Sequence, residues 1–219
     1  MTRYAMVVDI ERCTGCFSCA VACKAENAVP LGVWRIWLKI VEKGTYPNVN
    51  RSWIPLMCNN CENAVCVRVC PTQATYKRDD GIVMVDPHRC IGCKYCIAAC
   101  PYEVRYLNPL KRIVQKCQWC NHRVDMGIEP ACVNACPTDA LIFGNLDDPS
   151  SEVRRILDSR SYQLLKPDQG TEPQVYYLGA DMAVMRSLGP SEMDKEASAN
   201  SKTGSHSSFE RHADKVNKV

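Results

Sequence analysis

The sequence predicts an α+β fold of two tandem modules whose cohesion comes partly from cysteines and partly from an apolar core. Cysteine accounts for 16 of the 219 residues and phenylalanine for only 3. Hydrophobic residues make up 46% of the chain, and without the cysteines they fall to about 39%, a small supply for a globular protein. The net charge of +3 arises from 27 basic and 24 acidic residues, whose interspersion excludes a large basic face for nucleic acid.

The cysteines form four groups of four, and none is left over. Groups one and three have the spacing C-x2-C-x2-C-x3-C, whereas the second gap widens to four residues in group two and to eleven in group four. A proline follows the last cysteine of groups two, three and four, and Lys24 follows that of group one. In chain order the groups are Cys13, Cys16, Cys19 and Cys23; Cys58, Cys61, Cys66 and Cys70; Cys90, Cys93, Cys96 and Cys100; and Cys117, Cys120, Cys132 and Cys136.

This spacing is typical of [4Fe–4S] clusters. Three thiolates in seven residues can bind three iron corners of one cubane, and the fourth cysteine then points at a neighbouring cluster, as in bacterial two-cluster ferredoxins. Zinc sites usually use two separated C-x2-C pairs, and disulfides between cysteines this close in sequence have unfavourable geometry. We therefore predict iron–sulfur clusters, with a zinc- or disulfide-stapled structural module as the alternative.

The sequences that flank the groups predict how the groups pair. Groups one and three both follow a short apolar strand and the pattern Val-Asp-x-x-Arg-Cys, whereas groups two and four both continue as Cys-Pro-Thr-x-Ala into a strand. A two-cluster module needs one group of each type. Groups two and three meet this need through a hairpin turn at 79–81, and groups one and four meet it in permuted order. The alternative pairs group one with two and group three with four.

Nested pairing and an exchanged fourth cysteine predict the ligands. Four clusters in series can carry single electrons, and because cysteine binds every iron there is no open position for a substrate, so we predict no catalytic residue. The predicted sets are Cys13, Cys16, Cys19 and Cys136 for cluster one; Cys117, Cys120, Cys132 and Cys23 for cluster two; Cys58, Cys61, Cys66 and Cys100 for cluster three; and Cys90, Cys93, Cys96 and Cys70 for cluster four.

The regions between the groups complete the predicted organisation. We expect a strand at 33–40 and a turn-rich link at 42–50, then a helix at 150–165 and an extended segment at 166–178. A polar tail has little apolar surface to bury. The predicted domains are one ferredoxin-like module at 1–30 plus 110–146, a strand and link region at 31–56, a second module at 57–109, a C-terminal extension at 147–188 and the tail at 189–219.

Several side chains lie next to the cysteines in sequence. We expect Trp119 to shield cluster two, and His88 and His122 to be surplus to the ligand count. We expect Trp34 and Trp37 to lie in the core, with contact to a partner as the alternative. Five cations adjoin ligand cysteines, and each by itself is expected to be an ordinary solvated charge rather than a regulator of cluster potential: Arg12, Lys24, Arg89, Lys94 and Lys116.

The sequence also bears on membranes and export. No apolar stretch approaches the roughly 18 residues of a membrane-spanning helix. The N-terminus shows no apolar signal core and no twin-arginine pattern. We therefore expect neither an export signal nor a membrane anchor in this chain.

Short motifs around the cysteines carry a resemblance to a known family. Over about residues 1–180 the chain resembles the four-cluster ferredoxin-like electron-transfer (β) subunits of complex iron–sulfur molybdoenzymes, and it looks most similar to those of polysulfide and thiosulfate reductases. The motifs are Arg-Tyr-Ala-Met from Arg3, Ala-Cys-Lys-Ala-Glu-Asn from Ala22, Cys-Glu-Asn from Cys61, Ala-Cys-Pro-Tyr from Ala99, Pro-Ala-Cys-Val from Pro130 and Lys-Pro-Asp-Gln-Gly-Thr from Lys166.

The resemblance implies partners and a location. It implies four [4Fe–4S] clusters that relay electrons between a polytopic, quinol-exchanging membrane subunit and a molybdopterin-containing catalytic subunit. That enzyme would be of the polysulfide or thiosulfate reductase type, or a related enzyme that acts on sulfur or arsenic oxyanions. Cluster one would face the catalytic subunit and cluster four the membrane subunit. The complex would lie on the periplasmic face, exported on the partner's signal, with the cytoplasmic face as the alternative. The alternative function is a free soluble polyferredoxin.

Overall fold

The computed structural model describes residues 2–180 and Met185, so the polar tail at 189–219 lies outside the described residues. Among the residues described, no helix combines the length and apolarity needed to cross a membrane. The elements in chain order are β1 (Tyr4–Asp9), α1 (Ser18–Glu26), β2 (Ile36–Thr45), β3 (Asn48–Met57), α2 (Val65–Arg68), β4 (Thr75–Lys77), β5 (Val83–Val85), α3 (Tyr95–Ala98), β6 (Tyr106–Leu107), β7 (Val114–Gln115), α4 (Asn121–Val124), α5 (Ala131–Asn134), β8 (Leu141–Asn145), α6 (Glu152–Ser159), a 3₁₀ turn (Pro167–Gln169) and β9 (Val175–Leu178).

A three-stranded sheet carries the main apolar core. Its order is β8-β1-β9, with β1 antiparallel to β8 and parallel to β9. Ala5 and Val7 of β1 are fully buried, and they pack with Val153 of α6 and Leu178 of β9. The sheet therefore joins the strand before group one, the strand after group four and the C-terminal extension.

The hairpin predicted between groups two and three is confirmed. Strands β4 and β5 pair antiparallel, with Thr75 opposite Val85. Gly81, at φ +85°, occupies the left-handed region that glycine adopts without steric penalty. This hairpin brings the end of group two next to the start of group three.

The turn-rich link predicted at 42–50 is wrong. Strands β2 and β3 form one antiparallel ribbon of ten residue pairs, running from Ile36 opposite Met57 to Thr45 opposite Asn48. Glu42 lies opposite Arg51 in this ribbon and forms an ion pair with it. Most of the distal ribbon is exposed on both faces, so its sequence lacks the apolar alternation by which a half-buried strand is predicted.

The helix predicted at 150–165 is shorter. It ends at Ser159, because Arg160 is extended and its guanidinium donates to the buried Asp9 carboxylate at 2.6 Å. Beyond it, Gln163 pairs with Tyr177 through an isolated bridge. The extended segment predicted at 166–178 contains a 3₁₀ turn and then β9, so the prediction is correct only for its second half.

Candidate metal centres

The cysteine loops repeat one backbone conformation. In group one, Gly15 and Phe17 have φ of +70° and +60°, and the equivalent Gly92 and Lys94 of group three have +67° and +65°. Non-glycine residues seldom adopt positive φ, so the match shows that both loops curl in the same way around their cysteines. The helices that follow, α1 and α3, carry Cys19 and Cys96 at matching positions.

Groups two and four repeat a different conformation. Asn60 and Trp119, each just before the second cysteine of its group, have φ of +40° and +49°. The last cysteine of each group accepts a backbone N–H four or five residues on, from Thr75 to Cys70 at 3.5 Å and from Ala140 to Cys136 at 3.3 Å. The two loop types therefore match the two sequence types that the flanks predicted.

The first set of cysteines joins the two ends of the module predicted at 1–30 plus 110–146. Cys13 and Cys19 of group one lie near Cys136 of group four, 117 residues from Cys19 in sequence. Burial, with the charges of Cys13 and Cys136, raises the pKa of Cys19 to about 12. Cys16, which adjoins Cys13, is exposed.

A second set lines a cavity of about 290 Å³. The four sulfur ligands predicted for cluster two lie in its wall: Cys23, Cys117, Cys120 and Cys132. Trp119 is 1% exposed and also lines the cavity, as a shielding role requires. Asn27 Nδ2 lies 3.7 Å from both Cys23 Sγ and Cys120 Sγ, so one amide spans groups one and four.

A third set lines a cavity of about 360 Å³. The four cysteines predicted for cluster three lie in its wall: Cys58, Cys61, Cys66 and Cys100. Thr171 of the C-terminal extension closes one side and forms a hydrogen bond with the Tyr102 hydroxyl. Burial and the charge of Cys58 raise the pKa of Cys61 to about 12, although a hydrogen bond with Thr171 opposes the rise. The extension thus contributes to this site.

The fourth set is more open. Cys70 and Cys96 are the members whose charges interact in the described structure. Cys90 Sγ accepts the backbone N–H of Val114 at 3.4 Å, and Cys93 is exposed. The structure thus shows an interaction between two of the four cysteines predicted for cluster four, Cys70 and Cys96. The other two, Cys90 and Cys93, lie on the loop that leads to Cys96.

The cavities fit a group larger than a metal ion. In a zinc site, four sulfurs about 2.3 Å from one ion lie within about 4 Å of each other. Across residues 2–180 and Met185, no three His, Cys, Asp or Glu side chains are placed to hold a single ion, and none of the sixteen cysteines forms a disulfide. Trp119 Nε1 and Asn59 Nδ2, buried donors on residues that line the two cavities, have no partner in the described protein. In each cavity the four thiols could bind the irons of a cubane, and the unpartnered N–H group could donate to one of its sulfur atoms.

The expected solvated charge is wrong for Lys116. This side chain is fully buried, and its ammonium donates to Asn60 Oδ1 at 2.9 Å and to the Cys117 carbonyl at 2.8 Å. Lys24 is half-buried and donates to the Pro30 carbonyl at 2.6 Å. The remaining three cations, Arg12, Arg89 and Lys94, are exposed as expected. Nothing in the local sequence marks Lys116 as buried, because tertiary packing covers it.

The tryptophans and histidines beside the cysteines have separate roles. Trp34 is 44% exposed with the Lys24 ammonium over its ring, so its predicted core position is wrong, whereas Trp37 is half-buried. His122 contacts the Glu26 carboxylate at 2.7 Å. His88 is exposed.

Sequence reasoning missed Arg105. Its side chain is 4% exposed, and Nη2 donates to Cys66 Sγ at 2.8 Å. Arg105 follows group three, whereas Cys66 belongs to group two, so only the tertiary fold brings them together. No spacing signal in the sequence could have identified it.

Replacing Gly15 by alanine should destabilise the group-one loop. The residue has φ +70°, and an added Cβ would lie 2.3 Å from Trp53 Cδ1 on β3. The positive φ alone costs roughly 1–2 kcal/mol, and the clash adds to it, so thermal unfolding should begin at a lower temperature and iron retention should fall. Gly32→Ala is the matched control, because Gly32 has φ +79° but no atom within 4 Å of the added Cβ. Equal melting temperatures for the two variants would exclude the contact with Trp53 as a cause.

Comparison with known proteins agrees with this chemistry. The 4Fe-4S dicluster domain family matches residues 49–146. The B subunit of tetrathionate reductase from Salmonella typhimurium is 44% identical over 190 residues, which cover 85% of this chain and 76% of that protein. The B polypeptide of polysulfide reductase from Wolinella succinogenes is 42% identical over 177 residues, or 80% and 93% of the two proteins. The thiosulfate reductase electron transfer subunit PhsB of Salmonella typhi is 49% identical over 156 residues, or 70% and 80%.

Proposed function

This protein belongs to the family of iron–sulfur B subunits of reductase complexes, and on this premise we propose that it relays single electrons through four [4Fe–4S] clusters to a catalytic partner. It is an electron-transfer subunit and not a catalytic one. The alternative of a free polyferredoxin is set aside, because the relatives are named as components of reductases. The observation that carries the proposal is the pair of cavities, each lined by four cysteines from distant segments.

The proposed ligand sets are those predicted from the exchanged fourth cysteine. Cys23 supports the exchange, because it lies on α1 with Cys19 but lines the second cavity with three cysteines of group four. Cys100 supports it likewise, because it lines the third cavity with three cysteines of group two. The nested modules, 1–30 plus 110–146 and 57–109, follow from this assignment, with 31–56 as the inserted ribbon and 147–188 as an extension beyond them. The pairing of β1 with β8 supports the first module.

Electrostatic interactions between cysteines of neighbouring sets support a linear path. The charge of Cys19 acts on Cys132, that of Cys58 on Cys117, and that of Cys66 on Cys96. These three interactions favour the order one, two, three and four for the clusters. The exposed cysteines Cys16 and Cys93 fall in the terminal sets. Electrons would enter at one end and leave at the other.

The partners follow from the family and from these exposed ends. We assign the end at cluster one to a molybdopterin-containing catalytic subunit and the end at cluster four to a quinol-exchanging membrane subunit. Exposed apolar side chains lie close in sequence to both exposed cysteines, Phe17 next to Cys16 and Ile91 two residues before Cys93, and would suit partner contacts. The substrate class would be a sulfur compound such as polysulfide, thiosulfate or tetrathionate. The complex would sit on the periplasmic face of the membrane.

Purification of the intact protein from its native membrane tests this function. We expect it to co-purify with a large molybdenum-containing subunit and a membrane subunit, and its clusters to be reduced by a quinol and reoxidised by the sulfur substrate. Visible absorbance of the clusters reports both steps. Recovery of the protein as a monomer whose clusters exchange electrons only with soluble enzymes would contradict the proposal.

A further inference from the structure

Two buried cations distinguish one of the cluster sites. Among the lysines and arginines of the described chain, Arg105 and Lys116 are the two that are buried, at 4% and 0% exposure. Their hydrogen bonds go to sulfur, hydroxyl, amide and carbonyl acceptors, and neither is paired with a carboxylate within residues 2–180. A buried cation without a counter-charge is strongly unfavourable. The counter-charge must therefore come from the neighbouring cysteine thiolates and the group that they bind.

Arg105 lies between the third and fourth cysteine sets. Nη2 donates to Cys66 Sγ at 2.8 Å, and Nη1 donates to Thr75 Oγ1 at 3.4 Å. An arginine guanidinium stays protonated in proteins, so Arg105 is a permanent charge. It also donates to a ligand sulfur, and both features stabilise the more negative, reduced cluster.

Lys116 lies between the second and third sets. Its ammonium donates to Asn60 Oδ1, and Asn60 Nδ2 in turn donates to the Cys58 carbonyl at 3.3 Å. Cys58 is a proposed ligand of cluster three, so one hydrogen-bonded residue, Asn60, connects the buried ammonium to that site.

The other sites lack this pair of charges. The cations beside the terminal sets, such as Arg12 and Arg89, are exposed, so water and salt screen them. The second set shares Lys116 and has the half-buried Arg35 in its wall. All four of its cysteines are buried, however, whereas only Cys58 of the third set is. Deeper burial disfavours the extra negative charge of a reduced cluster. Charge and burial thus act in the same direction, in favour of reducing cluster three.

We propose that Arg105 and Lys116 raise the reduction potential of cluster three above that of cluster two. An electron shared between these two clusters would therefore reside mainly on cluster three. The step oxidises cluster two and reduces cluster three by one electron, with no other reactant. The proposal rests on the cluster assignment given under the proposed function. The two residues act through the cluster and its ligands, as positioning residues.

A redox titration of the purified complex, monitored by electron paramagnetic resonance, tests the proposal. Cys61→Ser and Cys132→Ser first identify the signals of clusters three and two. Arg105→Gln and Lys116→Met should each lower the ratio of reduced to oxidised cluster three by at least about tenfold at fixed potential, which is about 59 mV for one electron. The exposed control Arg89→Gln, and Lys116→Arg, which retains the charge, should change that ratio by less than about threefold.

Three results would overturn the proposal. They are a wild-type complex in which cluster two is reduced before cluster three, an equal shift in Arg89→Gln, and no shift in either charge-removing variant. If both of those variants lose iron, the wild-type order decides alone: reduction of cluster three first supports the proposal, and reduction of cluster two first overturns it. The iron and sulfide content of the same preparation tests separately whether the chain holds four clusters.

Discussion

Replacing Cys23 by serine should abolish or strongly perturb cluster two and leave cluster one intact, although Cys23 shares helix α1 with Cys19. The reason is geometric, because Cys23 lines the cavity formed with Cys117, Cys120 and Cys132, whereas Cys19 lies near Cys13 and Cys136. A serine hydroxyl is a weaker ligand for iron than a thiolate. We expect loss of about one cluster, or about four irons per chain.

Four single variants test this exchange without prior assignment of the signals. Cys23→Ser and Cys132→Ser should change the same signal in electron paramagnetic resonance. Cys19→Ser and Cys136→Ser should both change a different one. If Cys23→Ser and Cys19→Ser instead change the same signal, each group binds its own cluster and the exchange is wrong.

Removing the clusters should abolish cooperative unfolding. Each proposed cluster joins segments that are distant in sequence, and the sulfurs are crowded; burial raises the pKa of Cys117 to about 11. Metal binding and folding are coupled when the site does not exist in the unfolded chain. After iron is removed under denaturing reduction and the denaturant is dialysed away, calorimetry should show no cooperative transition for the cluster-free chain.

Reconstitution provides the control for cluster removal. Adding iron and sulfide anaerobically should restore the transition together with the visible absorbance. A compact cluster-free chain that melts cooperatively at the original temperature would contradict the structural role of the clusters.

Sequence spacing predicted the elements that depend on neighbouring residues. The strands before groups one and three and the hairpin around Gly81 follow from short apolar runs and turn residues, and they are present. The two loop types follow from the sequences that flank the cysteines, which are of one kind in groups one and three and of another in groups two and four. For the same reason, the four sets of candidate ligands could be written down before the fold was known.

The parts that sequence reasoning missed depend on contacts between distant segments. Strand β9 pairs in parallel with β1, with Val7 opposite Tyr176, although most of the described chain separates the two strands in sequence. Arg105 reaches Cys66 only through the packing of groups two and three. The outer β2–β3 ribbon buries neither face, so it carries no hydrophobic period. Local patterns contain no information on such contacts.

The iron and acid-labile sulfide content of the anaerobically purified protein tests the central claim most directly. Four cubanes predict about sixteen irons and about sixteen sulfides per chain, with no stoichiometric zinc. The protein concentration for this ratio should come from amino-acid analysis, because cluster absorbance distorts optical estimates. About eight of each would contradict the four-cluster assignment, and bound zinc without sulfide would contradict the electron-relay function altogether.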